Sequence, residues 1–215
     1  MNPEKKVRWE ELPPYLRPTN VSFLLAEFVM KQTRREDRCI ELGCGAGAVL
    51  FELARSGKFK ALYGVDKNHE ALTFAKRLFQ KANLEVDLFE MDVSKVKNIL
   101  KAESFDIVVM NPPYHLKGQP NLDPKRKDVR AGTPETVKSF IEAATYLVRN
   151  KGKLFMAVKP FVFVDFLEMM LERKLEPKAI QPVYGRKDRE AFLLLVKSIK
   201  NGGRELHMLP PIVLS

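Results

Sequence analysis

Four consecutive residues, Asn111-Pro112-Pro113-Tyr114, follow directly on the apolar run Phe105 to Met110. A strand that runs into two prolines must stop, because neither proline can donate to the ladder. The prolines also hold the carbonyls around them in fixed positions, the preorganisation that catalysis needs. An exocyclic amine on a purine is a poor nucleophile, since its lone pair is delocalised into the ring. Two acceptors aimed at its N–H bonds, the Asn111 side-chain oxygen and the Pro112 carbonyl, would favour a pyramidal nitrogen. The freed lone pair could then attack a methyl group in line. Tyr114 offers a face on which a splayed-out base can stack, a contact worth ~1–3 kcal/mol. No strong base is required, because the proton becomes acidic once the methyl has moved, so His115 is not needed as one. A strand-ending turn plugged by an aromatic ring is the plain structural alternative.

A second cluster, Glu41-Leu42-Gly43-Cys44-Gly45-Ala46-Gly47, ends another apolar run and opens a helix-like stretch. Glycines allow a tight turn and let backbone approach a ligand closely. On its own such a string fits a structural turn or a dinucleotide site. Asp66 ends the following strand, where a carboxylate could accept two ribose hydroxyls. Asp92 ends the one after that, placed to meet an adenine edge. Glu41 directly before the turn is awkward beside a pyrophosphate and suits a cofactor carrying an ammonium and a sulfonium. S-adenosylmethionine has both and no phosphate. A third glycine in GxGxxG register is missing, since Val49 and Leu50 follow Ala48. The cofactor-binding set is therefore Glu41, Gly43, Cys44, Gly45, Gly47, Asp66, Asp92 and Asn111. Cys39 and Cys44 have no partner pair and few histidines for company, so no metal site is expected, and both read as reduced thiols.

Strands and helices must alternate to bring these pieces together. The pattern predicts helices over 21–32, 46–56, 69–82, 96–101, 133–149 and 161–173, with Thr19 or Asn20, and Thr133, as caps. It predicts strands over 37–42, 61–65, 86–91, 105–110 and 153–158, then a hairpin over 179–184 and 191–199. The expected fold is α/β and Rossmann-like: a mostly parallel seven-stranded sheet with a C-terminal antiparallel hairpin and helices on both faces. Ligands bind such sheets at the C-terminal ends of the strands, at the switch point. Every informative segment falls at one of those ends.

At 215 residues the chain fits one domain, read as 19–215, behind an irregular proline-rich arm over 1–18. Trp9 and Tyr15 are expected to pin that arm to the body. No apolar stretch approaches the ~18 residues of a membrane span, and the N-terminus lacks a secretory h-region, so a cytoplasmic protein without a membrane partner is expected. Lysine and arginine outnumber aspartate and glutamate 37 to 27, a net charge of +10 that favours polyanionic partners. Candidate RNA contacts are Lys117, Lys125, Arg126, Lys127 and Arg130 in the loop 115–132, and Arg186 and Lys187 beside Arg189 between the last two strands. A solvated basic surface is the simpler reading of each.

The combination resembles the class I S-adenosylmethionine-dependent methyltransferases that carry an (N/D)PP(Y/F) motif. Leu175-Glu176-Pro177-Lys178, Val183-Tyr184, Arg189-Glu190-Ala191, Lys200 to Gly203 and Leu209-Pro210-Pro211-Ile212 are similar to the bacterial tRNA-Val adenine-N6 methyltransferase family. The resemblance covers about nine-tenths of the chain. It implies methylation of the adenine 3′ of a tRNA anticodon, with the glycine loop, Asp66 and Asp92 on the cofactor and 111–114 on the base. Two departures stand out. Val129-Arg130-Ala131-Gly132 replaces an Ala-Arg-His-Glu-like stretch, and Phe192 occupies a position where a polar residue is expected. Other readings are a guanine-N2 RNA methyltransferase and a release-factor glutamine-N5 methyltransferase. Further off are an RNA-binding module that kept the fold and an NAD-dependent oxidoreductase.

Overall fold

The computed structural model describes residues 7, 9–34, 37–113 and 134–214. Strands β1 (Asp37–Leu42), β2 (Phe59–Asp66), β3 (Asp87–Glu90), β4 (Phe105–Met110) and β5 (Val148–Val158) run parallel. Strands β6 (Leu175–Tyr184) and β7 (Ala191–Lys200) form an antiparallel hairpin, and β7 pairs antiparallel with β5. The order is β3-β2-β1-β4-β5-β7-β6, to which two-residue strands β8 (His207–Met208) and β9 (Ile212–Val213) add along β6. The sheet thus has nine strands rather than the expected seven. Among the described residues the helices are α1 (Asn20–Lys31), α2 (Ala48–Arg55), α3 (His69–Ala82), α4 (Pro134–Leu147) and α5 (Phe163–Glu172).

The central strands are buried on both faces, which is why their sequences are nearly unbroken apolar runs. Even-numbered β4 residues Val108 and Met110 face α4 and α5 with Ile141, Leu147 and Phe166. Ile107 and Val109 face the other way, toward Leu25, Phe28, Leu50 and Phe79 of α1, α2 and α3. Asn68 caps α3 by accepting from the Ala71 amide at 3.0 Å, and Asn83 ends the helix with φ 54, the left-handed conformation asparagine tolerates. Lys58 and Lys153 donate to the Met30 and Gln32 carbonyls, placing positive charge on the exposed C-terminal end of α1. No helix among the described residues is long and apolar enough to cross a membrane.

Several element boundaries differ from the periodicity: β2, β5 and β6 start earlier than expected, at Phe59, Val148 and Leu175, and α2 starts later, at Ala48. The segment 96–101 is not an α-helix; a 3-10 helix spans Val93–Asn98, started by Asp92, whose carboxylate accepts from the Ser94 amide and hydroxyl. The helix expected to reach Arg149 stops at Leu147, because Val148 pairs with Phe105 and opens β5. The helix expected from Phe161 begins as a separate 3-10 turn, Pro160–Val162, before α5. Thr133 lies outside the described residues.

The described part of the arm is more ordered than its prolines suggest. A 3-10 turn, Trp9–Glu11, leads into Leu12 and Leu16, both buried against Ala46 and Ala71. Trp9 lies edge-on to Phe51 and tilted over Phe74, and the Tyr15 hydroxyl donates to Glu70 at 2.8 Å. Trp9→Ala should therefore cost about 1–3 kcal/mol, less than the ~3–5 of a fully buried ring. The expected result is a lower thermal midpoint and faster chymotryptic cleavage at Tyr15.

Candidate functional site

The strand order reverses between β1 and β4, so the helices that follow them leave on opposite faces and a crevice opens at their C-terminal ends. Leu42 is level with Met110 in the register. Gly43 and Asn111 are the next residues, and the glycine turn and the Asn-Pro-Pro segment therefore leave adjacent strands side by side. Strands lie ~4.8 Å apart. Asp66 ends β2 on the far side of β1, and Asp92 follows β3 beyond it. The residues singled out in the sequence are thus gathered along one rim of the sheet, in the order Asp92, Asp66, glycine turn, Asn111. Pro112 is buried, and Asn111 and Pro113 are half-buried. Tyr114 and the loop lysines and arginines Lys117, Lys125, Arg126, Lys127 and Arg130 lie outside the described residues.

The glycine turn is built from backbone. The Gly43 and Cys44 amides both donate to the Val65 carbonyl, at 2.8 and 3.0 Å, which ties the turn to the end of β2. The Gly45 amide donates to Asp66 Oδ2 at 2.7 Å, and the Asn68 amide to Oδ1 at 2.8 Å. Asp66 therefore organises the turn as well as standing at its edge. Burial raises its carboxyl above the ordinary aspartate range despite these amides. Asp92 behaves oppositely: its Ser94 hydrogen bonds hold the carboxyl low, and the half-buried group is charged. The Cys44 side chain is buried toward Gly64 and Leu50, with its thiol pushed up by burial. Only the Cys44 backbone is left to face a ligand.

Two glycines of the turn differ in what a side chain would meet. Gly47, with φ +81, precedes α2, and a Cβ there would sit 2.8 Å from Phe79 Cζ. Gly45, with φ +51, would present its Cβ to open space, with nothing within 4 Å. The open side at Gly45 is a cradle where a ligand can lie against bare backbone. Gly47→Ala should cost about 2–5 kcal/mol, combining the left-handed strain of ~1–2 with overpacking of ~1–3. Gly45→Ala should show the strain alone, a difference that thermal denaturation of the two variants measures.

Glu41 is the unusual member. It is 3% exposed at the end of β1, and burial together with neighbouring Asp66 pushes its carboxyl well up. The backbone amide of Leu50, in the first turn of α2, donates to it. The carboxylate thus supplies the helix cap that Gly47, lacking a side chain, does not. Among the described residues its Oε2 has no hydrogen-bond partner. A buried carboxylate with one orphaned oxygen and an acidic neighbour calls for a donor of positive charge. A cofactor bearing cationic groups and no phosphate fits that arrangement, whereas a pyrophosphate would add negative charge beside Glu41 and Asp66. Among the described residues no group of three His, Cys, Asp or Glu side chains could hold a metal ion.

The hairpin turn carries Arg186 and Lys187. Both are exposed, and Arg186 is held by Asp188 through two 3.0 Å hydrogen bonds. Two further residues at this rim belong to no motif in the sequence. Lys159 follows the last residue of β5, and Phe161 is 57% exposed on the turn after it. The Lys159 ammonium lies 5.0 Å from the Phe192 ring centroid. A lysine and a phenylalanine around a proline give no spacing signal, and only the sheet order brings them beside Asn111. A cleft of about 270 Å³ between Lys97, Tyr146 and Arg173 lies on the helical face, away from this rim.

The sequence matches the methyltransferase small domain family over residues 19–176. It is 23% identical to an rRNA N(6)-adenosine-methyltransferase of Caenorhabditis elegans, over 71% of this chain and 72% of that protein. Against a release factor glutamine methyltransferase of Bacteroides thetaiotaomicron the identity is 22%, over 82% and 67%. Against the tRNA1(Val) (adenine(37)-N6)-methyltransferase of Escherichia fergusonii it is 23%, over 62% and 56%. A predicted O-methyltransferase from Agrobacterium tumefaciens shares the fold, with a TM-score of 0.72 at 23% identity over 90% of this chain and 86% of that one. The family match runs from the cap of α1 into β6 and takes in both strand ends at the crevice; on that extent, the chain belongs to the methyltransferase small domain family.

Proposed function

We propose that this chain is an S-adenosylmethionine-dependent N-methyltransferase acting on the exocyclic N6 amine of an adenine in tRNA, next to the anticodon of a tRNA-Val. The observation that carries the reading is the register of β1 and β4, which sets Asn111-Pro112 beside the glycine turn. Bound S-adenosylmethionine supplies an electrophilic methyl group on a sulfonium centre. Glu41, the backbone of Gly43, Cys44, Gly45 and Gly47, Asp66 and Asp92 would hold it, with Asn111 at the boundary between cofactor and base.

The remaining work falls to the Asn-Pro-Pro segment. The Asn111 side-chain oxygen and the Pro112 carbonyl accept the two amine N–H bonds, which draws the nitrogen out of conjugation. Pro112 and Pro113 fix the carbonyl direction, so little reorganisation is needed as positive charge develops on the nitrogen. The same two acceptors then hold the acidified proton until water takes it. Tyr114 would stack on the ring, and the loop 115–132 and the hairpin turn would meet phosphates.

The adenine reading is supported by relatives named for adenine-N6 chemistry on rRNA and tRNA. The release factor glutamine methyltransferase similarity favours one competing reading, since a glutamine amide is also a planar nitrogen with two N–H bonds. Methyl transfer from labelled S-adenosylmethionine to unmodified total tRNA, followed by nucleoside digestion and mass detection, separates them. N6-methyladenosine is the expected product. Label on a peptide glutamine with none in RNA would overturn the assigned substrate and keep the chemistry of the segment.

A further inference from the structure

The rim continues past Asn111 onto β5 and β7. Val158 ends β5 beside the end of β4 and opposite Leu194 of β7. Lys159 therefore stands one strand from the Asn-Pro-Pro segment, and Phe192 two strands away, roughly 5 and 10 Å along the rim. The Lys159 ammonium is held over the Phe192 ring, and no carboxylate among the described residues pairs with it. Phe161 and Val164, 57% and 61% exposed, form an apolar step next to that cation. Large exposed apolar side chains beside a crevice mark contact surfaces rather than packing. A ring, a cation and a second ring in succession match the alternating base and phosphate of a single strand. A purely hydrophobic ligand would leave the ammonium without a counter-charge.

We propose that Lys159, Phe161 and Phe192 form a docking platform for the nucleotide flanking the target base of a single-stranded RNA segment. Phe161 takes the flanking base on its exposed ring, and Lys159, steadied by Phe192, takes the phosphate. Burial pulls the Lys159 ammonium below its ordinary range, and a bound phosphate would pull it back up. The hairpin turn lies at the same end of the sheet and adds Lys187 and Arg189, with Glu190 as the opposing acid. The proposal rests on the RNA reading above and deepens it. It also gives the unexpected Phe192 a role as the cushion under Lys159.

The test measures binding of a fluorescein-labelled, uridine-rich single-stranded RNA containing one adenine, by anisotropy, to full-length protein saturated with S-adenosylhomocysteine. Phe161→Ala should weaken binding roughly 5- to 100-fold, the range of one lost stacked base, and Phe161→Trp should retain it. Lys159→Gln should reduce the slope of log affinity against log salt by about 0.7, one phosphate contact on a single strand. Thermal midpoints and S-adenosylmethionine affinity should stay at wild-type values in all three. Wild-type RNA affinity and salt slope in Phe161→Ala and Lys159→Gln, in a protein that methylates RNA, would overturn the platform alone. A wild-type protein that labels a glutamine peptide and no RNA would overturn the RNA reading and the platform together.

Discussion

Asn111→Ala is expected to reduce methyl transfer by on the order of 10²–10³-fold, the loss typical when one preorganised polar partner of a transition state is removed. The alanine leaves β4 and both prolines in place, so the Pro112 carbonyl still accepts one N–H bond. The second N–H loses its acceptor, and the amine stays conjugated with its ring. Because the lost interaction strengthens as the nitrogen becomes pyramidal, the effect belongs in kcat more than in KM. Single-turnover rates with saturating labelled S-adenosylmethionine give the chemical step. Cofactor affinity measured by calorimetry should change no more than several-fold. Asn111→Asp, which keeps an acceptor at the same reach, should recover part of the rate. Wild-type turnover in Asn111→Ala would sink the mechanism, and an equal loss of cofactor binding would reassign the residue to the cofactor.

Glu41→Gln should weaken S-adenosylmethionine binding by about tenfold or more, the scale of a hydrogen bond made to a charged group. It should at the same time make the unliganded protein more stable at neutral pH. A carboxyl whose folded pKa stands above its unfolded one binds its proton more tightly in the native chain. Its contribution favours folding at low pH and is lost as pH rises from about 4.3 through the raised value. Glutamine does not titrate, so the variant's thermal midpoint should pull ahead of wild type as pH climbs through that window. Each ~1 kcal/mol corresponds to roughly 2–4 °C in a chain of this size. The neighbouring Asp66 charge adds to the rise at Glu41, so an uncharged glutamine relieves that repulsion as well. Ligand binding should show the mirror image. Wild-type affinity should rise with pH as Glu41 ionises, and Glu41→Gln should lose that dependence. If both pH profiles and the affinity match wild type, the carboxylate serves only to cap α2.

Most of the rim was legible because strand ends are written twice in the sequence. An apolar run marks the strand, and a glycine or proline marks its end. β1, β4 and α3 occupy the spans their patterns predict, whereas nothing in the local pattern of Glu41 told that its carboxyl would be buried. What local pattern could not carry is pairing at a distance. Val148 and Arg149 continue the helical periodicity of α4, yet Val148 bonds to Phe105 and Arg149 to Asp106, and the backbone turns into β5. Lys159 and Phe192 are far apart in sequence and meet only because β7 runs antiparallel to β5. Asp92 could have been placed more closely. Aspartate two residues before serine is a turn-initiating pattern, and the carboxylate is engaged in that turn.

Two short strands, β8 and β9, cover part of the outer margin of the sheet. β6 would otherwise present a ten-residue row of backbone groups to any passing strand. β8 covers Ala179 and Ile180, and β9 covers Val183 and Tyr184. The gap between them falls at Gln181 and Pro182, where the Gln181 side chain donates to the Pro210 carbonyl at 3.0 Å and the proline offers no N–H. The opposite margin, β3, is four residues long and begins and ends with an acid. Short or partly covered margins of this kind disfavour strand addition by another copy, the route by which an open sheet polymerises. The net charge of +10 would concentrate the protein on a polyanion, where margins covered in this way limit the self-association that crowding invites.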